Sequence, residues 1–354
     1  MALFSKCVEN VRDLRNLDSG GKMIKVLFYS PVEDMKLFEY TGFYRMDQMA
    51  MNSLGWNITF TNNLRKVARP KDYDILFTYF WTYSAFALII AKFFGKTTIS
   101  TGGADDLDPI FNSSRKKYFT RKIFFLICYL FSDSVLAVSN KDAENMSRII
   151  RRGKKISVSR HPLENVYPNK SNKTEYISTV AWMVPIANVQ RKGIDRLIKV
   201  FGYMKEMERF KNFRLRIIGT EGQGSEYLRE IARKNNILDI DFLGVVSEEE
   251  KMAELDASLL YGQLSEYEGF GLAALEALSS GCIVIHSGRG GLEEVVNSHG
   301  IKVNLNESDE MIAEKIALSL DNFNTDQSSL ELHLGQFSIE KRAESILIAS
   351  RRKR

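Results

Sequence analysis

Short runs of consecutive apolar residues alternate along this chain with longer stretches whose apolar positions recur at helical spacing. A first group of runs is Lys25 to Ser30, Trp56 to Thr61, Asp74 to Tyr79, Thr97 to Thr101 and Ser134 to Ser139. Each reads as a strand, and unbroken apolar runs of this kind belong to parallel sheets covered on both faces. Helices are expected between them: from about Tyr44 to Leu54 after a loop carrying Gly42, over 84–94, and from Asn140 to Ile150. Ahead of the first run, Leu3, Phe4, Cys7, Val8, Val11 and Leu14 share one helical face, and Ser19-Gly20-Gly21 ends it. A leader helix is therefore expected over 1–21.

The pattern then restarts. An irregular stretch from His161-Pro162 to about Thr174 precedes Tyr176 to Ala181, a new strand. Ile194, Leu197, Ile198 and Phe201 mark an amphipathic helix. Leu215 to Gly219, Ile240 to Gly244, Ser258 to Tyr261, Cys282 to Ser287 and Gly300 to Asn304 read as further strands, with a helix near 271–280. Two consecutive βα arrays predict an α/β chain of two Rossmann-like, doubly wound parallel-sheet domains with a cleft between them. Their expected extents are 22–165 and 166–337, with a C-terminal helix over 338–354 packing back on the first.

Composition narrows the function classes. A chain of 354 residues, 44% hydrophobic and 26% charged, has material for two ordinary cores. Cys7, Cys128 and Cys282 are scattered, which fits a reducing compartment and no disulfide framework. The four histidines show no zinc spacing, and no bound metal is expected. The longest apolar run near the middle, Ile123 to Phe131, is far short of the roughly 20 residues that span a bilayer. The N-terminus lacks a basic-then-apolar leader, so the cytoplasm is expected, with the inner face of the plasma membrane as a variant. The net charge is a mild +5, but five cations fall within Arg115–Lys122, directly before that apolar run. Two readings of 115–131 stand: a core helix with a solvated basic start, or a patch facing anionic lipid. No nucleic-acid recognition motif accompanies the charges.

The chemistry concentrates between Ser265 and Gly281, where Gly269-Phe270-Gly271-Leu272 marks a loop turning into a helix. N–H groups at such a helix start bind anions, and glycine lets a phosphate come close. Glu268 just before the loop and Glu276 in the helix would repel phosphate but accept hydrogen bonds from sugar or ribose hydroxyls. Phosphate plus polyol is what a nucleotide-sugar presents.

The Glu-x7-Glu spacing of Glu268 and Glu276 resembles the signature of family-4 retaining glycosyltransferases, which have the GT-B fold. Gln190-Arg191-Lys192-Gly193-Ile194-Asp195, Ile217-Ile218-Gly219, Phe242-Leu243-Gly244-Val245-Val246-Ser247 and Gly290-Gly291-Leu292-Glu293-Glu294-Val295-Val296 resemble that family's other landmarks, in the family's order. The resemblance implies that Glu268 holds the transferred sugar, that Glu276 binds the ribose, and that Lys192 neutralises the departing diphosphate. It implies further donor contacts from Gly269, Phe270, Gly271, Leu272, Gly219 and Val246. Where many relatives carry an arginine after the first strand of the second array, this chain has Ala181-Trp182-Met183, and Arg191 is the candidate substitute. Where many carry a histidine in the first array, it has Gly102 to Asp106, so Asp105 or Asp106, with Gly42 and Phe43, are candidates for donor sugar or acceptor.

The expected function is sugar transfer from a nucleotide-sugar, UDP- or GDP-linked, to a glycan or lipid-linked glycan acceptor in bacterial surface polysaccharide biosynthesis. It needs no separate cofactor, and protein cations do a metal's work. The competing readings are a non-catalytic GT-B partner subunit and an epimerase or hydrolase on the same fold. A nicotinamide dehydrogenase is disfavoured, because no GxGxxG follows the first strand at Ser30-Pro31. Asp106-Leu107-Asp108 could pass for a metal-binding pair but is short and frequent by chance.

Overall fold

The computed structural model describes residues 23–108, 114–150, 153–164 and 172–352. The leader expected over 1–21 and the end of the basic tail at Lys353-Arg354 lie outside the described residues. The chain divides into two compact units, one formed by segments up to Glu164 and from Gln336 onward, the other by the segment ending at Gly335.

The first unit holds β1 (Lys25–Tyr29), β2 (Asn57–Thr61), β3 (Ile75–Tyr79), β4 (Thr97–Gly102), β5 (Ser134–Ala137) and β6 (Ile156–Val158). All pair in parallel, in the order β2-β1-β3-β4-β5-β6. Alternate residues of a strand point to opposite faces, and here each face has its own core. Val26 and Phe28 pack with the helices Gly42–Ser53 and Ile339–Ser350 through Met51, Ile346 and Leu347. Leu27 and Tyr29 pack on the other face with Leu88 and Phe125, from the helices Ser84–Phe93 and Arg115–Phe131. The apolar runs are unbroken because neither face meets water.

One ionic cluster lies inside this unit. Arg342, in the helix Ile339–Ser350, donates to both carboxylate oxygens of Asp47 at 2.6 and 2.8 Å and to the Ser159 carbonyl at 2.5 Å. Asp47 also accepts from the Tyr79 hydroxyl, and His161 stacks on the Tyr79 ring. The Arg342 and Asp47 side chains are both fully buried. Burial, reinforced by the Arg342 charge, pushes the His161 imidazole down to about 3, so it is neutral at physiological pH.

The second unit holds β7 (Thr174–Val180), β8 (Arg214–Ile218), β9 (Ile240–Gly244), β10 (Ser258–Gln263), β11 (Ile283–His286) and β12 (Gly300–Lys302). Its parallel order is β12-β11-β10-β7-β8-β9. The chain builds outward from β7 in one direction, then returns to β7 and builds in the other. A topological switch point therefore lies between β7 and β10, and open α/β sheets bind ligands outside the carboxyl ends of strands at such a point. Ile177, Leu215, Ile217, Leu260 and Ile285 fill one face against Ile198, Phe201 and Ile312. Each such fully buried side chain contributes about 1.5–3 kcal/mol.

Candidate functional site

The switch-point strands lead directly into the residues singled out by sequence. β10 ends at Gln263 and continues through Leu264 to Glu268, then enters the helix Leu272–Ser279. After β7 comes the helix Ile186–Arg191, followed by Lys192 and the helix Ile194–Lys205. The two connections are tied together. The Glu266 N–H donates to the Arg191 carbonyl at 2.8 Å, and a Cβ at Gly193 would collide with the Leu264 carbonyl.

Glu268 is the centre of this arrangement. Its Oε2 accepts from Lys192 Nζ at 2.5 Å and from Gln263 Nε2 at 2.8 Å. Side-chain exposures of 13% for Glu268 and 17% for Lys192 put the pair mostly out of water. Oε1 carries no hydrogen bond among the described residues. Burial raises the Glu268 pKa, but Lys192 and Arg191 and the two hydrogen bonds outweigh it and hold the carboxyl below the usual carboxylate range. Arg191 is held beside it, donating to the Tyr267 carbonyl at 3.1 Å and to Asn188 Oδ1 at 2.8 Å. Lys192 and Glu268 are thus one ionic unit, which their separate roles in the resemblance did not imply.

The loop carrying Glu268 rests on a second glycine pair. The Gly291 N–H donates to the Glu268 carbonyl at 2.6 Å, and a Cβ at Gly291 would lie 2.7 Å from Phe270 Cα. Gly290 has φ +67°, and a Cβ there would collide with the Glu268 carbonyl. Gly290→Ala is therefore expected to displace the loop and lower activity at least about tenfold, since misplacement of a reacting group by about 1 Å is worth about 10². Steady-state kinetics of the variant, with its circular dichroism as a folding control, checks this.

The helix Leu272–Ser279 starts at Gly271, which is left-handed and provides no side-chain cap. Its first-turn N–H groups are an anion site by geometry and dipole. Glu276, one turn on and nearly buried, accepts from Lys251 Nζ at 2.7 Å. Lys251 also meets Glu248 at 2.5 Å. Burial lowers the Lys251 pKa, but the two carboxylates outweigh it and hold the ammonium above the ordinary lysine value.

The remaining candidates separate. Gly219 directly follows β8, and a Cβ there would strike the Ala181 carbonyl, so it permits close approach of the β7 and β8 ends. Val246 lies in the half-buried turn before Ser247, the N-cap of the helix Glu248–Ala257. Gly42, Phe43 and Asp105 lie in the first unit. Gly42 opens the helix Gly42–Ser53, Phe43 stacks on Tyr79 with ring centroids 5.2 Å apart, and Asp105 starts a short turn after β4. The side chain of Asp106 lies outside the described residues. Asp108 is buried and accepts from Asn145 at 3.3 Å. Among the described residues no cluster of His, Cys, Asp and Glu could hold a metal ion.

Sequence reasoning missed Gln263, Lys251 and Asn188. Lys251 stands behind three glutamates, Glu248 to Glu250, and nothing in that run points to a carboxylate 25 positions away. Gln263 had a weak signal: it is a polar residue ending a strand whose middle, Leu259 to Tyr261, is apolar.

Residues 182–329 match the family model described as glycosyl transferases group 1. The second unit carries a group 1 glycosyltransferase domain. The group 1 match includes Lys192, Glu268 and Glu276. A curated relative, the phosphatidylinositol N-acetylglucosaminyltransferase gpi3 subunit of Schizosaccharomyces pombe, is 29% identical over 182 residues, or 50% of this chain. The chain spans 39% of that relative's length. Among solved structures, Anabaena HepE in complex with UDP superposes with a TM-score of 0.70 at 15% identity, covering 91% of this chain and 98% of that one. Sucrose-phosphate synthase from Thermosynechococcus elongatus gives 0.68 at 15% identity, covering 92% and 97%. A glycosyltransferase from Rickettsia africae gives 0.67 at 16% identity, covering 93% and 98%. At these identities the structural likeness establishes the fold, two parallel six-stranded sheets with flanking helices of the GT-B type.

Proposed function

We propose that this protein is a retaining glycosyltransferase, moving a sugar from a nucleotide-sugar to a glycan or lipid-linked glycan acceptor in surface polysaccharide assembly. The observation that carries the reading is the Glu268 site. Its carboxylate is held charged by Lys192 and Gln263, both bonded to Oε2, and stands beside an uncapped helix start at the switch point. In this reading Glu268 accepts hydroxyls of the transferred sugar and Glu276, oriented by Lys251, accepts those of the ribose. The N–H groups after Gly271 and the ammonium of Lys192 meet the diphosphate. Negative charge grows on that leaving group as the sugar–phosphate bond breaks. Cations already in place there, Lys192 and Arg191, stabilise the transition state more than the ground state, in the role a metal would otherwise take. A UDP-sugar is favoured because the superposed Anabaena HepE structure holds UDP.

The test is a thermal-shift screen against UDP-, GDP-, ADP- and dTDP-sugars. The true donor at a hundred times its Kd should stabilise the protein by about 2.7 kcal/mol. Glu276→Ala should then lose about 1.5–3 kcal/mol of nucleotide affinity, the range for charge-assisted hydrogen bonds. Unchanged affinity in that variant removes Glu276 from the site, and no stabilisation by any of the four donors removes the reading.

A further inference from the structure

The helix Arg115–Phe131 of the first unit buries only Phe125 and Cys128 fully among its described side chains. Phe119, Ile123 and Leu130 are exposed and Leu126 is half-exposed. Their spacing of four, three and four residues makes one helical stripe about 16 Å long that points away from the core. The neighbouring helix Ser84–Phe93 repeats the arrangement: Ala85, Ala87 and Leu88 go inward, while Phe86, Ile89 and Phe93 go outward, Phe93 with 84% of its surface in solvent. Phe124 joins the two helices, its ring 6.0 Å from Tyr83 and 6.5 Å from Phe86. Scattered exposed apolar residues are ordinary, but two adjacent helices presenting apolar stripes outward mark an interaction surface.

The charge beside this surface selects the partner. No acidic residue occurs from Ile75 to Ala104 or from Pro109 to Ser132. Arg115, Lys116, Lys117 and Lys122 form no ion pair among the described residues. Between the helices lies a cavity of about 450 Å³ lined by Thr82, Tyr83, Lys116, Lys117, Thr120 and Arg121. It offers cations and hydroxyls without a carboxylate, the chemistry that receives a phosphate monoanion. A soluble protein partner would be matched by charges of both signs, whereas an apolar face on two helices that carry cations and no acidic residue matches an anionic bilayer.

We infer that the helices Ser84–Phe93 and Arg115–Phe131 form a membrane-docking face. Phe86, Phe93, Phe119 and Ile123 insert at the level of the acyl boundary, and a lipid phosphate occupies the cavity at Lys116 and Lys117. This face belongs to the first unit and does not depend on the reading of Glu268. The experiment is co-sedimentation of the full chain with vesicles of pure phosphatidylcholine and of equal parts phosphatidylcholine and phosphatidylglycerol, at low and high salt. The native protein should sediment with the mixed vesicles, several-fold less at high salt, and not with pure phosphatidylcholine. Phe119→Ser/Ile123→Ser and Lys116→Gln/Lys117→Gln should each lower partitioning at least about tenfold. Those substitutions are at exposed positions, and an unchanged circular dichroism spectrum and melting curve confirm that each variant folds. Excess inorganic phosphate at matched ionic strength should leave vesicle binding intact. Absence of binding to the mixed vesicles, equal binding to both kinds, or release by inorganic phosphate overturns the proposal. So does a concentration-dependent dimer that Phe119→Ser/Ile123→Ser abolishes, which would assign the face to a second copy of the chain.

Discussion

Replacing Lys192 with alanine is expected to lower kcat by about 10²- to 10³-fold and to move the acid limb of the pH–rate profile upward. The first effect is the loss of a preorganised cation at a leaving group that gains negative charge, worth about 2.7–4 kcal/mol when a single such donor is removed. The second follows from the pairing seen here. Burial raises the Glu268 pKa, and Lys192 is the largest influence opposing it, so the native carboxyl titrates below the usual range. Without Lys192 the burial remains while the leading opposing charge is gone, so Glu268 binds its proton at higher pH. A carboxylate that must be ionised to accept sugar hydroxyls is then lost progressively from the acid side. Lys192→Arg keeps the charge and should hold the limb near its native position even if kcat falls through altered geometry. The measurement is kcat against pH for the three proteins with the donor found by thermal shift. A Lys192→Ala profile merely scaled down, with its acid limb unmoved, would show that the two groups do not act as a pair. The variant should also be less stable, because the pair is mostly buried. The loss should be a fraction of the about 3–5 kcal/mol typical of breaking a fully buried pair.

Much of this architecture was legible in the pattern of the chain. The apolar runs at Val26 to Tyr29 and Ile75 to Tyr79 are unbroken because their alternate residues feed two different cores, and the doubly wound fold follows from that. Observed strand ends differ from the expected ones by a residue or two, as at Thr174–Val180. β6 was not anticipated, since Ile156-Ser157-Val158 is three half-buried residues at the sheet edge. The helix Ile186–Arg191 was missed as well, although it sets the position of Lys192. In the site, Glu268 and Glu276 could be named from the loop and helix they flank, and Lys192 and Arg191 from the family resemblance, but their partners could not. Lys251 meets Glu276 and Gly291 meets the Glu268 carbonyl only because parallel strands bring distant βα turns to one edge. Orientation was the other hidden quantity. The run Ile123 to Phe131 reads equally well as core or surface, and only the placement of Phe125 and Cys128 shows which side faces inward.

The helix Ile339–Ser350 falls within the helix expected over 338–354, but the residue that anchors it did not show in the local pattern, because it is a charge among apolar neighbours. Arg342 is 295 positions from Asp47, yet it is completely buried against it. Taking two ions out of water is unfavourable, and it is offset here because all three guanidinium nitrogens donate: toward both Asp47 oxygens, the Ser159 carbonyl and the Thr101 hydroxyl at 3.3 Å. Arg342→Met keeps much of the side-chain volume but leaves Asp47 buried with only hydroxyl partners such as Tyr79. The expected loss is about 3–5 kcal/mol, or on the order of 10 °C in the melting temperature of the first unit. Arg342→Met/Asp47→Leu removes both charges and should recover a large part of that loss, because no buried ion remains without its partner. Urea unfolding followed by hydrogen exchange at β1, β3 and β4 separates this unit's transition from the other's, which a single global probe would merge. If Arg342→Met unfolds within about 1 kcal/mol of the native chain, the cluster does not hold the helix in place. If the single and double variants are equally destabilised, the loss comes from side-chain packing and not from the stranded carboxylate. The expected result is that Arg342→Met is less stable than the double variant by about 2 kcal/mol or more.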